Sequence, residues 1–243
     1  MIDPWLWIGL FVLVAYTIEA ITGFGSLVIS LALGALLLPV PELLPVLVPL
    51  NVLMSGFLTW RNRRHIDRAL LLKVILPLML GGTLLGYLLQ NGLADNLLKL
   101  LLGLLIVWFA CRESWRLWRG TSVQPHPRWL NRVLTLGAGI SHGLFASGGP
   151  LLVYAMAGTT LDKQRLRASM LCVWFTLNSS LTLLLWSQGR LAQGQQLLWF
   201  IPLLVIGVLV GEYLHHRVNE QRFRQMVYGL LAVTGVLLAA QSV

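Results

Sequence analysis

Charge is what this chain has least of. Of its 243 residues only 11% are charged, against 57% hydrophobic, and its mean hydropathy is +0.76. Soluble domains carry roughly 25% charged residues, so a soluble globular fold is excluded. Long polar stretches are missing too; apolar segments recur from end to end and leave no room for a separate aqueous domain. Cysteine is nearly absent. Cys111 and Cys172 have apolar neighbours and no metal-ligand spacing, the pattern of reduced, buried thiols rather than a disulfide or reactive pair. The opening MIDPWLW lacks a basic n-region and a small-residue cleavage site, so no cleavable leader is read there. There is no HExxH, GxSxG or P-loop motif and no metal-ligand cluster. That argues against an enzyme, a metal or other cofactor, and ATP-driven transport by this chain alone.

What is present is a chain of membrane segments with a biased charge distribution. The excess of 18 Lys+Arg over 9 Asp+Glu would suggest nucleic acid in a soluble protein. In a bilayer protein it reports sidedness, and no nucleic-acid partner is expected. Apolar segments lie at about 5–21, 26–40, 43–59, 69–89 and 95–111, then 130–146, 150–161, 168–187, 196–214 and 223–240. The chain thus divides into a first membrane repeat (1–111), a basic linker (112–129) and a second repeat (130–243). Positive residues gather in four places: Arg61 to Lys73, Arg112 to Arg132, Lys163 to Arg167, and Arg217 to Arg224. The positive-inside rule puts all four in the cytoplasm. The path that follows leaves both termini extracytoplasmic. Residues 26–38 would make a helix of only ~20 Å and 150–161 one of ~18 Å, against a hydrocarbon core of about 30 Å. Each therefore reads as the arm of a re-entrant hairpin, although two short spans per pair satisfy the charge rule equally well.

The two halves echo each other. TGFGSLVIS (22–30) matches ASGGPLLVY (146–154) at an offset of 124, and Asn51 matches Asn178 at 127. LPLMLGGTLLGYLL (76–89) matches IPLLVIGVLVGEYL (201–214) at 125, and Gly103 falls on Gly229 at 126. The first half starts outside and the second inside. The predicted fold is an all-α polytopic membrane protein of two inverted repeats, each a broken, re-entrant hairpin plus three transmembrane helices. Inverted repeats with interrupted helices place a substrate near the midplane, where the breaks meet.

The breaks suggest how it would be held. In each, a turn precedes a short helix whose first N–H groups lack internal partners and whose dipole attracts anions. Gly23, Gly25, Gly148 and Gly149 would let the chain turn and a ligand approach. Pro150 suits a first helical turn, and Thr22, Ser26 and Ser147 would add hydroxyl donors. No apolar segment has a central Lys or Arg, so the expected anion site has no fixed positive side chain. The alternative is that the glycines only permit close helix packing, which is the preferred reading for Gly82/Gly86 and Gly207/Gly211. Glu19, three residues before Thr22, and His142, at offset 123, are candidates to carry a coupled proton. A hydrogen-bonded neutral Glu19 and a structural His142 are the alternatives. Asn51 and Asn178 either donate amides to the site or bridge the hairpin tips; Tyr154 is a further lining candidate.

These residues resemble the sulfite exporter TauE/SafE family: TGFG in the first half, SGGP followed by LLVY in the second, LDKQRLRAS (161–169) leading to Asn178, and RNRRHID (61–67) after Asn51. The resemblance covers nearly the whole chain. It implies a permease of the bacterial inner membrane that moves sulfite, organosulfonates or related small anions, usually outward. By position, Gly23, Gly25, Asn51, Gly148, Gly149, Pro150 and Asn178 carry over. Glu19, where the family pattern has a neutral polar residue, and His142, which is outside the motif, are departures. A site with its own carboxylate implies altered coupling or a different substrate. The leading expectation is proton-coupled export of a small anionic sulfur compound. Uptake of another anion or organosulfur nutrient, a membrane enzyme, and an insertion scaffold are the competitors. The GxxxG faces would also suit a homodimer.

Overall fold

The computed structural model of the chain describes residues 3–22, 25–119, 126–156, 163–215 and 217–242. Each apolar segment is a helix. In order they are α1 (Pro4–Thr22), α2 (Ser26–Gly34), α3 (Val40–Asn62), α4 (Arg68–Gln90), α5 (Asp95–Arg119), α6 (Arg128–Phe145), α7 (Gly149–Ala155), α8 (Lys163–Ser187), α9 (Gly194–His215) and α10 (Glu220–Gln241). Six of them, α1, α3, α4, α8, α9 and α10, are long and apolar enough to cross a membrane. Their outward faces confirm the solvent: on α4, Leu84, Leu85, Leu88 and Leu89 are all at least half exposed, an arrangement stable in lipid and untenable in water. The chain is a multi-pass helical membrane protein.

Two elements differ from their sequence reading. Helix α2 has nine residues and α7 seven, or about 13 and 10 Å, shorter than predicted. For α2 the reason is Pro39, which pushes Leu38 out of helical geometry; the chain instead turns, with Leu37 and Leu38 N–H both donating to Gly34 O. The linker is also shorter, because α5 continues to Arg119. Within that extension Glu113 is buried between Arg112 and Arg116, the latter 2.8 Å away, so its charge is paired where the helix leaves the apolar run. Helix α4 contains a π turn at Leu71–Ile75, with Leu76 N–H donating to Leu71 O. Pro77 follows directly, and the wider turn relieves the clash its ring would make with the preceding carbonyl.

The chain forms two compact units, each drawing on both sequence halves. The first holds α1, α2, α5, α9, α10 and the start of α3 to Leu47; the second holds the rest of α3 with α4, α6, α7 and α8. In the first unit α9 lies against α1 so closely that a Cβ at Gly207 would sit 2.7 Å from Leu13 O, and one at Gly211 2.6 Å from Thr17 O. Gly103 of α5 and Gly235 of α10 face each other in the same way. In the second unit Gly82 and Gly86 of α4 cross Gly139 and Gly143 of α6, again with backbone against backbone. Between helices in lipid there is no hydrophobic drive, so such close approach is what holds them. The GxxxG faces are filled within each unit.

The second unit's core joins α4, α6, α7 and α8 through Leu71, Ile75, Met79, Ala138, Leu152, Ala155, Met156, Val173 and Leu177, all buried. Both cysteines are free thiols; Cys111 is exposed on its helix rather than buried as predicted.

Candidate functional site

The first break lies in the first unit. Helix α1 ends at Thr22 and α2 begins at Ser26, with Gly25 between them at φ 106°, a conformation that favours glycine. Gly23 lies outside the described residues. An N-cap side chain would normally accept a hydrogen bond from the first amides of α2, but Gly25 has none. Glu19 fills that role from one turn back on α1: its Oε2 accepts Ser26 N–H at 3.0 Å, in a bond that spans seven residues. Both residues are buried. A carboxylate therefore already sits where helix geometry favours an anion.

Two features of this break add to the sequence reading. The Thr22 hydroxyl donates to Ile18 O at 2.8 Å, so its proton is committed to its own helix. And a positive side chain does reach this break: Arg224 of α10 donates from Nη2 to Thr22 O at 3.3 Å. Arg224 reads in sequence as one more member of a cytoplasmic basic cluster. The packing of α10 beside α2 brings it to the carbonyl end of α1, where a cation complements the helix dipole.

The second break lies in the second unit and is built differently. Ala146, not a glycine, takes the left-handed conformation (φ 50°), and its N–H donates to His142 O at 2.6 Å. Gly148 has an ordinary φ of −73°. It is needed for space, because a Cβ there would collide with Ala138 O and lie 2.9 Å from His142 Cβ. Gly149 starts α7 with Pro150 in its first turn; a Cβ at Gly149 would meet only Trp174, at 3.6 Å. Ser141 through Gly148 are buried without interruption. The Ser147 hydroxyl donates to Phe145 O (3.0 Å), so it too is committed to backbone. Ser141 donates to Ser147 O (3.2 Å) and ties the two sides of the break together. Sequence reasoning missed Ser141, although it lies at offset 122 from Glu19, beside the residue that was chosen.

Asn51 and Asn178, matched across the halves, bond to each other: Asn178 Nδ2 donates to Asn51 Oδ1 at 2.7 Å, and both are buried. His142 is 1% exposed, and its ring stacks on Trp174 with centroids 5.8 Å apart and planes 19° from parallel. Tyr154, in the last turn of α7, packs edge-on against His126 at 4.7 Å. The structure thus groups Glu19, Thr22, Gly25 and Ser26 at one break. At the other it groups His142, Ser147, Gly148, Gly149 and Pro150, with Asn178 and Asn51 beside them. Among the described residues no group of three or more His, Cys, Asp or Glu could hold a metal.

The sequence pattern of the family described as "Sulfite exporter TauE/SafE" matches residues 8–238, a span that includes both breaks. The chain belongs to the sulfite exporter TauE/SafE family. A protein of Comamonas testosteroni described as "Probable inner membrane transporter protein TsaS" is similar, 26% identical over 196 residues that cover 79% of this chain and 78% of that protein. No solved structure matches the chain. As a TauE/SafE member built from membrane-spanning helices, the chain is a permease-type transporter.

Proposed function

We propose that this TauE/SafE member is a secondary permease of the bacterial inner membrane. It moves a small sulfur oxyanion, sulfite or an organosulfonate, outward with proton coupling, and contacts the anion at the two helix breaks. The similarity to a protein described as an inner membrane transporter supports the location. The observation that carries the mechanism is the Glu19 carboxylate on Ser26 N–H. The amide end of α2 holds an oxyanion oxygen already, supplied by the protein itself.

Coupling follows from competition for that amide. While Glu19 is ionised it occupies the donor that an incoming anion requires, and two like charges cannot share it. Protonation of Glu19 leaves a weaker acceptor without charge, and the substrate can take its place. Loading is thereby tied to proton uptake and unloading to proton loss, so anion and proton travel together. Net direction follows the gradients; an anion accumulating in the cytoplasm leaves down its own gradient, and a monoanion moving with one proton carries no net charge across the membrane.

Sulfite flux in proteoliposomes, with and without an imposed proton gradient, tests this reading. Wild type should show saturable flux that responds to the gradient. Glu19→Gln, which keeps an acceptor for Ser26 N–H but has no charge to titrate, should keep flux and lose the response. An undiminished gradient response in that variant would remove Glu19 from the coupling step.

A further inference from the structure

Cations from three separate stretches of sequence gather at one end of the second unit. Gly82 and Gly86 of α4 pack on Gly139 and Gly143 of α6 in that order, so the two helices run parallel and begin at the same end. Both pairs are 57 residues apart, which sets Arg128 at the level of Leu71 and Arg132 at the level of Ile75, above and below Lys73. Arg68 opens α4, and Arg63 and Arg64 lie in the loop just before it. The start of α8, with Arg167, is tied to that loop: Asp67 N–H donates to Ser169 Oγ at 3.0 Å, and His65 Nε2 lies 3.3 Å from Gln164 Nε2. All seven cations are exposed, and among the described residues none of them forms an ion pair. The acid in their midst, Asp67, is committed to capping α4 through Leu70 N–H at 2.9 Å; Asp162 lies outside the described residues.

Two observations place this charge among lipid headgroups rather than in open water. Trp60, near the end of α3, and Trp129, at the start of α6, are 65% and 67% exposed, and exposed tryptophan belongs at the membrane–water interface. Arg63 sets its guanidinium over the Trp60 ring, 5.2 Å from the centroid, so the loop's charge and this anchor share one level. Lys73 goes deeper. It lies inside α4, a helix long and apolar enough to span, beside Leu72, which is 61% exposed. Further along, the same helix exposes Leu80 and Leu84, so Lys73 stands on a surface that faces acyl chains. It is five residues beyond Arg68, about 8 Å along the axis, a depth from which a lysine stem carries its ammonium back to the phosphates. A soluble acidic protein would meet the loop but not a lysine among lipid-facing leucines. A phospholipid meets both, its phosphodiester matching the arginine fork and the ammonium and its chains covering the leucines.

We propose that this end of the second unit is a binding surface for anionic phospholipids. Their phosphodiesters are drawn to Lys73 and the arginines at its level, and their acyl chains lie along the exposed leucines of α4. Because Arg128 and Arg132 ride on α6, the first arm of the second broken hairpin, bound lipid holds that arm to the loop before α4. The proposal needs only that the chain is a helical membrane protein and is independent of what it carries.

The test compares the full chain in nanodiscs of phosphatidylcholine alone with nanodiscs of phosphatidylcholine and phosphatidylglycerol. The anionic lipid should raise the thermal unfolding midpoint by about 2–4 °C. Native mass spectrometry from neutral detergent holding equal amounts of the two lipids should show phosphatidylglycerol retained in preference. A triple variant, Arg64→Gln with Lys73→Gln and Arg132→Gln, removes one charge from each of three elements, each worth about fivefold in lipid affinity. It should lose most of the preference and of the shift, with its midpoint in phosphatidylcholine unchanged. Equal midpoints and equal retention for wild type, or a triple variant with the wild-type preference, overturn the proposal. So does a midpoint in phosphatidylcholine nanodiscs that inorganic phosphate or polyglutamate raises as far as phosphatidylglycerol does, because the surface would then serve a soluble anion. Should the triple variant fail to insert, Lys73→Gln alone decides, with an expected loss of about fivefold in phosphatidylglycerol retention; retention equal to wild type overturns the proposal.

Discussion

At Gly148 and Gly149, adjacent in sequence, one added methyl group has opposite consequences. In Gly148→Ala it would run into the Ala138 carbonyl and the His142 Cβ, both held by α6, so the break must open to admit it. Overpacking of that kind costs about 1–3 kcal/mol, and we expect a clear fall in the thermal unfolding midpoint of the purified protein in detergent. In Gly149→Ala the methyl meets only Trp174 at ordinary contact distance, and the midpoint should stay close to wild type. Loss of transport in the stable variant then reports on the site rather than the fold. Gly25→Ala is a third case, strained by φ 106° rather than by crowding, with an expected cost of about 1–3 kcal/mol. Sequence reading treated these glycines alike because spacing shows where a chain is free to bend, not which residue bends. Ala146, which carries the left-handed turn, gives no sequence signal. Glu19 was legible as a buried charge near a break, whereas Arg224, 202 residues from its carbonyl partner, was not. Glu19→Ala should remove the carboxylate that accepts Ser26 N–H and destabilise by about 1–3 kcal/mol, while Glu19→Gln should unfold near wild type; equal midpoints for the two would show that the cap contributes nothing.

Elements were far more legible than sites. Every apolar run became a helix, because in lipid all backbone hydrogen bonds must be made within the segment and composition alone then decides. Ends were less readable where local chemistry competes. Pro39 cut α2 short, and the paired charges around Glu113 let α5 run into what reads as a loop. Matched glycines in the two halves do not keep matched roles. Gly103 faces Gly235 across a helix crossing, with Gly235 O 2.6 Å from where its Cβ would be; its counterpart Gly229 has nothing within 4 Å. Gly86→Ala should therefore separate α4 from α6 and lower the unfolding midpoint sharply. Gly81→Ala, one turn away and equally unobstructed as Gly229, should be neutral or stabilising by up to about 1 kcal/mol, since alanine restrains a helix better than glycine. A large loss at Gly81 or none at Gly86 would mean that α4 packs through another face.

For the whole molecule, the arrangement that remains to be measured is sidedness. Under the positive-inside rule Asp3 and Arg63 are expected on opposite sides of the bilayer, and both are exposed. Only Cys111 and Cys172 need replacing to obtain a cysteine-free background. Single cysteines at the two positions can then be probed with a membrane-impermeant maleimide on intact cells and on inverted vesicles. The expected outcome is labelling of the Asp3 position from outside and of the Arg63 position only in inverted vesicles. The result bears on transport directly. Chain between Asp3 and Arg63 includes α1, α2 and α3, and of these α1 and α3 are long and apolar enough to span while α2 has nine residues. Opposite labelling requires an odd number of crossings. Helix α3 then crosses alone and the α1–α2 pair enters and leaves by one face, or both halves of that pair cross as short spans; each fits a first repeat that starts outside and a second that starts inside. Labelling of both from one side requires an even number, with α1 crossing as a full span and α2 turning within the membrane. The first repeat would then start on the same side as the basic loop at Arg61–Arg68, and the two halves could not be inverted copies on the charge argument that assigned them.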